Sequence, residues 1–166
     1  MRLRHAITGV AVVAIVAALV AFASMPTGAA TRDAVVPADA RVAATGAVGD
    51  ARVLLLSQRG RLRLLVAYHR SKGWFGVPVA PAPQGSPVAW AATRGSSVVP
   101  SLSAVYGRTD GSPDGVQLRV RWADDRQTLA TPASDGAYLV VRRGRVRVAD
   151  VSVVAADGSA TSLGAP

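Results

Sequence analysis

Cysteine and glutamate are both absent from this chain, lysine occurs once, at Lys72, and histidine only twice. Without a thiol there is no disulfide framework, no thiolate nucleophile and no lipoprotein anchor on an N-terminal cysteine, and zinc loses its commonest structural ligand. His5 precedes the apolar leader discussed below, so His69 is the one histidine left to a mature domain. A Ser-His type of nucleophilic catalysis would have that single base to draw on, and no Gly-x-Ser-x-Gly elbow or Ser-x-x-Lys pairing surrounds any serine.

Because glutamate is missing, all ten acidic residues are aspartates. Asp124 and Asp125 are adjacent, which on a strand would point them to opposite faces and in a turn would turn them toward backbone donors, so they do not read as the paired acids of a glycoside hydrolase. The stretch from Asp110 through Ser112 and Asp114 to Gly115 has the oxygen spacing of a calcium loop. Its twelfth position is Arg121, where a bidentate glutamate is needed, so a turn rich in Asp, Gly and Pro is the better reading. No metal and no cofactor is expected, and no catalytic set emerges.

What the chain does have is a leader. Arg2 and Arg4 precede an uncharged run from Ala6 to Ala23 that contains nine strongly apolar residues, each contributing about −0.3 to −0.6 kcal/mol at the centre of a membrane helix. Basic residues lie only before the run, and the next charge is Arg32, so the positive-inside rule keeps the N-terminus in the cytoplasm and puts the rest outside. Ala21-Phe22-Ala23 and Gly28-Ala29-Ala30 both suit a signal peptidase, whereas the length of the run approaches that of a bilayer span; residues 1–30 are therefore a signal peptide or a membrane anchor. The arginines are separated by Leu3, so there is no twin-arginine pair.

Once Arg2 and Arg4 are set aside, seventeen basic residues face ten aspartates, leaving about +7. Outside a membrane such a surplus draws anionic headgroups or acidic wall polymers, and export makes nucleic acid an unexpected partner. Arginine in place of lysine, with abundant Ala, Val and Gly, matches the codon bias of a high-GC bacterium.

Residues 31–50 read as a flexible spacer rich in Ala, Gly, Pro and Thr, and residues 51–166 as a β-rich extracytoplasmic domain. Short apolar runs broken by Gly, Pro or Asp predict an all-β fold, a small antiparallel β-sandwich or barrel-like domain following the N-terminal hydrophobic helix. Ala51–Ser57 and Arg61–His69 form a hairpin across Gln58-Arg59-Gly60. Gly73–Val79 and Val88–Thr93 flank a stretch with Pro78, Pro81, Pro83 and Pro87, expected as an exposed loop because proline lacks the ladder N–H. Ser101–Arg108 is another strand. Gly115–Asp124, Arg126–Thr131, Ala137–Arg142 and Arg145–Val154 are expected as a four-stranded meander, with Val116, Leu118, Val120 and Trp122 on the packed face of its first strand. The run Arg59–Leu64 echoes Arg143–Val148, each reading as a basic turn that enters an alternating strand.

Function is expected to follow topology: a noncatalytic envelope protein, anchored or secreted, acting as a binding or structural module. An alternative is direct binding of anionic lipid or wall polymer by Arg59, Arg61, Arg63, Arg143, Arg145 and Arg147, with Trp74 as an aromatic contact; another is an extracytoplasmic enzyme of unrecognised type. Fractionation with intact-mass determination separates the two leaders. A chain starting at Ser24 or Thr31 in a soluble fraction is the outcome for a signal peptide, and a full-length chain in the membrane pellet is the outcome for an anchor.

Overall fold

A computed structural model describes residues 35–70, 73–81, 87–97, 99–110 and 114–164. The leader, the first part of the expected spacer, Lys72, Pro83 and Ser112 lie outside them. Among the described residues the architecture is all-β, built from three antiparallel sheets.

The first sheet has the order β1-β2-β3-β4, from β1 (Ala40–Val48), β2 (Ala51–Gln58), β3 (Arg61–Arg70) and β4 (Gly73–Pro81). The expected hairpin is present. Gln58 faces Arg61 across Arg59-Gly60, and both turn residues have positive φ, 51° and 76°, as a two-residue type I′ connection requires. Two expectations for this sheet need correction. The spacer assigned to residues 31–50 contains β1, which pairs with β2 from Ala40 opposite Gln58 to Val48 opposite Ala51. Alanine, threonine and glycine supply so little hydrophobic contrast that its alternation does not show. The proline stretch is also not wholly a loop, since Pro78 and Pro81 lie within β4, which is an edge strand. Register slips there, with Leu64 opposite Ala80 and Leu65 opposite Pro78, so the prolines sit at an edge and a bulge, where a missing N–H is tolerated.

The middle sheet has the order β5-β6-β9, from β5 (Val88–Thr93), β6 (Leu102–Arg108) and β9 (Ala137–Arg143). The third has the order β11-β10-β7-β8, from β7 (Gln117–Trp122), β8 (Gln127–Ala130), β10 (Val148–Val154) and β11 (Ala160–Gly164). The strands of the second half thus form where expected, but not as a meander. β9 leaves its sequence neighbours to pair with β6, and β10 pairs with β7 on one side and β11 on the other. The reason is legible in β9 itself, where Ala137, Tyr138 and Val140 are all buried and Leu139 and Val141 partly so; a strand apolar on both faces needs cover on both. The Arg59 and Arg143 motifs also part company. The first is a tight hairpin turn, and the second carries the chain from the middle sheet to the third.

Alternation along the middle sheet builds two cores. Ala89, Ala91, Leu102, Ala104, Tyr106 and Ala137 pack with Val53, Leu55, Leu64 and Val66 of the first sheet. Their immediate neighbours Val88, Val105, Tyr138 and Val140 pack with Leu118, Val120, Trp122 and Val151 of the third. Ser103, fully buried on this second face, donates to the Gly144 carbonyl at 3.0 Å and accepts from the Val146 N–H at 2.8 Å, which ties the β9–β10 connection to β6.

Gly107 in β6 marks a close approach. The Tyr138 hydroxyl donates to the Pro87 carbonyl at 2.8 Å, and a Cβ at Gly107 would lie 2.0 Å from that carbonyl oxygen and 2.6 Å from the Tyr138 hydroxyl. Burial raises the Tyr138 phenol far above its ordinary value, so it remains a donor. Gly107→Ala is expected to destabilise the fold by about 1–3 kcal/mol, the scale of an overpacked core, read as a lowered urea midpoint. Tyr138→Phe should cost less, about 0.5–1.5 kcal/mol for one hydrogen bond.

Candidate functional site

Strand β4 extends the face of the first sheet that carries Val53 and Val66. Val77 lies opposite Val66, and Phe75 opposite Tyr68, so the four side chains share one face. Val66 is fully buried in the core, whereas Phe75 and Val77 are each 40% exposed. The Tyr68 and Phe75 rings stack with centroids 6.0 Å apart, and the Arg70 guanidinium carbon sits 5.6 Å from the Tyr68 ring centre. An aromatic and cationic strip thus continues a core face into solvent.

At one end of this sheet the strip meets a cleft of about 420 Å³, whose lining includes Tyr68, His69, Asp50, Ser97, Pro100 and Arg143. Four separate segments build it: the β1–β2 turn, the end of β3, the β5–β6 connection and the end of β9. Local bonds hold the walls. Thr93 donates its hydroxyl to the Pro100 carbonyl at 2.9 Å, and the Ser96 N–H bonds to the Val99 carbonyl at 2.7 Å. The Gly144 N–H bonds to the Ser101 carbonyl at 2.8 Å, fixing the backbone that carries Arg143 against this connection. A second hollow of similar volume lies among Gly115, Val116, Gln117, Thr131 and Val154–Ala156. It carries no charged side chain, so the cleft beside Tyr68 is the better placed for polar recognition.

The expected arginine contacts fall in different places. Arg59 lies in the β2–β3 turn, and Arg61 and Arg63 follow on β3, all three exposed; Arg59 lies 3.3 Å from Asp39. Arg143 borders the β1–β2 turn, at the other end of β2, on the order of 25 Å away at about 3.3 Å per strand residue. Arg145 and Arg147 are exposed on the connection to β10. The two trios therefore do not share one end of the sheet. Trp74 is half-buried and packs against the small apolar cluster of Leu54, Leu56 and Ala67 on the other face, its ring 5.4 Å from His69 in an edge contact. The more exposed aromatic is its neighbour Phe75. Proline could have signalled this, because Pro78 consigns β4 to an edge, where one flank of the face goes without a neighbour.

The adjacent aspartates separate as a turn dictates. Asp125 takes a positive φ of 62°, while Asp124 receives two hydrogen bonds from Arg142, one at 2.7 Å. Arg142 is only 18% exposed along its side chain, and its guanidinium carbon lies 5.5 Å from the ring centre of buried Trp122. Trp122 in turn donates its indole N–H to Thr128 at 3.0 Å. This is a structural clamp rather than an acid pair. Comparison with known protein families, with curated proteins and with solved structures found no match to this chain.

The hydrogen bonds from Arg142, helped by the Arg126 backbone and the Arg142 charge, hold the Asp124 carboxyl at about 2, below its ordinary 3.8. A carboxyl depressed in the folded state binds its proton more tightly when unfolded, so its contribution is complete above the unfolded value and is lost as pH falls through about 2. Asp124→Asn should flatten the decline in thermal midpoint between pH 4 and pH 2. Asp150 and Asp157, both depressed by serine hydroxyls, should leave a residual slope.

Proposed function

We propose that this protein is a noncatalytic module displayed outside the cytoplasmic membrane, tethered through residues 6–23 or released by cleavage, whose sandwich-like domain works by contact with an envelope component or a protein partner. The observation that carries the reading is the strip of Tyr68, Phe75 and Val77, a core-type face that continues into solvent beside a cleft. An exposed apolar surface rimmed by polar groups is what a contact surface offers. The leader supplies the address, because a run with arginines only on its N-terminal side delivers the chain to the far side of the membrane. Binding of anionic lipid or wall polymer by the six arginines is the second reading, supported by the exposure of Arg59, Arg61 and Arg63 on one hairpin.

Site-directed photocrosslinking in intact cells tests the first reading. A benzophenone side chain at Val77 is expected to give discrete adducts, while one at Leu129, also exposed but on β8 of the third sheet, gives none. Equal labelling at both positions, or none at Val77, would reject the strip as the contact surface. Turnover of a peptide, ester or glycan substrate that disappears with His69→Ala would reject the noncatalytic reading.

A further inference from the structure

We infer that the strip and the cleft together bind an acidic polysaccharide, one sugar ring lying on Phe75 and its carboxylates reaching Arg70 and Arg143. The inference rests on the contact reading above and gives it a ligand class. A sugar ring presents an apolar C–H face and a polar edge, so a binder needs an aromatic surface with hydrogen-bonding groups a few ångströms further on. Phe75 and Tyr68 supply the first, and Tyr68 belongs to both parts, stacked on Phe75 and lining the cleft.

The charges choose among ligands that share this shape. Arg41 and Arg108 share Asp135, Arg59 pairs with Asp39, and Arg126 and Arg142 share Asp124. Among the described residues none of these ion pairs engages Arg143, which lines the cleft. Arg70 is likewise outside them, seated on the Tyr68 ring. Two cations beside aromatic rings favour an anionic sugar over a neutral one. Asp50 at the same rim repels a polymer charged at every atom or two, such as a polyphosphate, yet accepts a sugar hydroxyl. A widely spaced carboxylate, one per ring, satisfies all of these. The concavity also argues against a bilayer surface, which a protruding basic face would meet better.

The test is titration of the full-length protein in detergent with fluorescently labelled oligogalacturonate, alongside its methyl ester and polyaspartate. Binding to oligogalacturonate is expected, with Phe75→Leu and Arg143→Gln each raising Kd about tenfold, the loss of one contact worth about 1.4 kcal/mol. Methyl esterification should weaken it at least as much. Both replaced residues are exposed, and an unchanged thermal midpoint checks that each variant folds. No binding, equal binding of polyaspartate or of the ester, or binding indifferent to both substitutions would overturn the assignment. If oligogalacturonate fails while Val77 still gives discrete adducts, the ligand class is wrong and the contact surface stands; if the adducts are missing too, both fall.

Discussion

A three-stranded sheet buried on both faces organises this fold. β6 has no position at which a charge could be solvated until Arg108 at its end, and its one buried hydroxyl, Ser103, is satisfied in both directions. A layer of that kind is stable only when something apolar lies above and below it, since each buried side chain left uncovered forfeits roughly 1.5–3 kcal/mol. The two four-stranded sheets meet that need. They can be amphipathic because the middle sheet cannot, which is why Gln117, Arg119 and Arg121 face outward on β7 while Leu118, Val120 and Trp122 are fully buried.

Unequal widths follow from the same constraint. The first sheet sets four strands against the three of the middle sheet, and strands are spaced about 4.8 Å apart. The fourth, β4, is the edge strand of its sheet, with a neighbour on one side only, so the exposure of Phe75 and Val77 is a matter of position as much as of residue choice. The cleft arises instead at one end of the strands, where the β1–β2 turn, the end of β3, the β5–β6 connection and the end of β9 come together.

Strands with strong contrast could be read directly from the chain. β7 alternates apolar and charged residues without a break, and the hairpin of β2 and β3 is punctuated by Arg59-Gly60, so both lie within two residues of expectation. β1 could not be read, because Ala43, Ala44 and Ala47 look the same inside and outside a sheet. Pairing was harder than placement. Sequence neighbours pair by default, and only the unbroken apolar run of β9 hinted that it belonged to a layer covered twice. The cleft was beyond reach for a plainer reason: Asp50, Tyr68, Ser97 and Arg143 are far apart in the chain, and no local period connects them. Two arginine motifs that look alike as strings, at Arg59 and Arg143, carry different backbones because one closes a hairpin and the other crosses between layers.

The bulged, proline-bearing margin of β4 limits how the surface beside it can be approached. Strand addition from outside needs an uninterrupted row of N–H and C=O groups, and Pro78 and Pro81 contribute no N–H while the slip at Val79 disturbs the spacing. Neither a second copy of this chain nor an extended peptide can zip onto that edge. Exposed aromatic surface next to an open edge ordinarily invites fibrillar stacking; here the edge is blunted, so Phe75 and Val77 can stay in solvent at high local concentration without seeding aggregation.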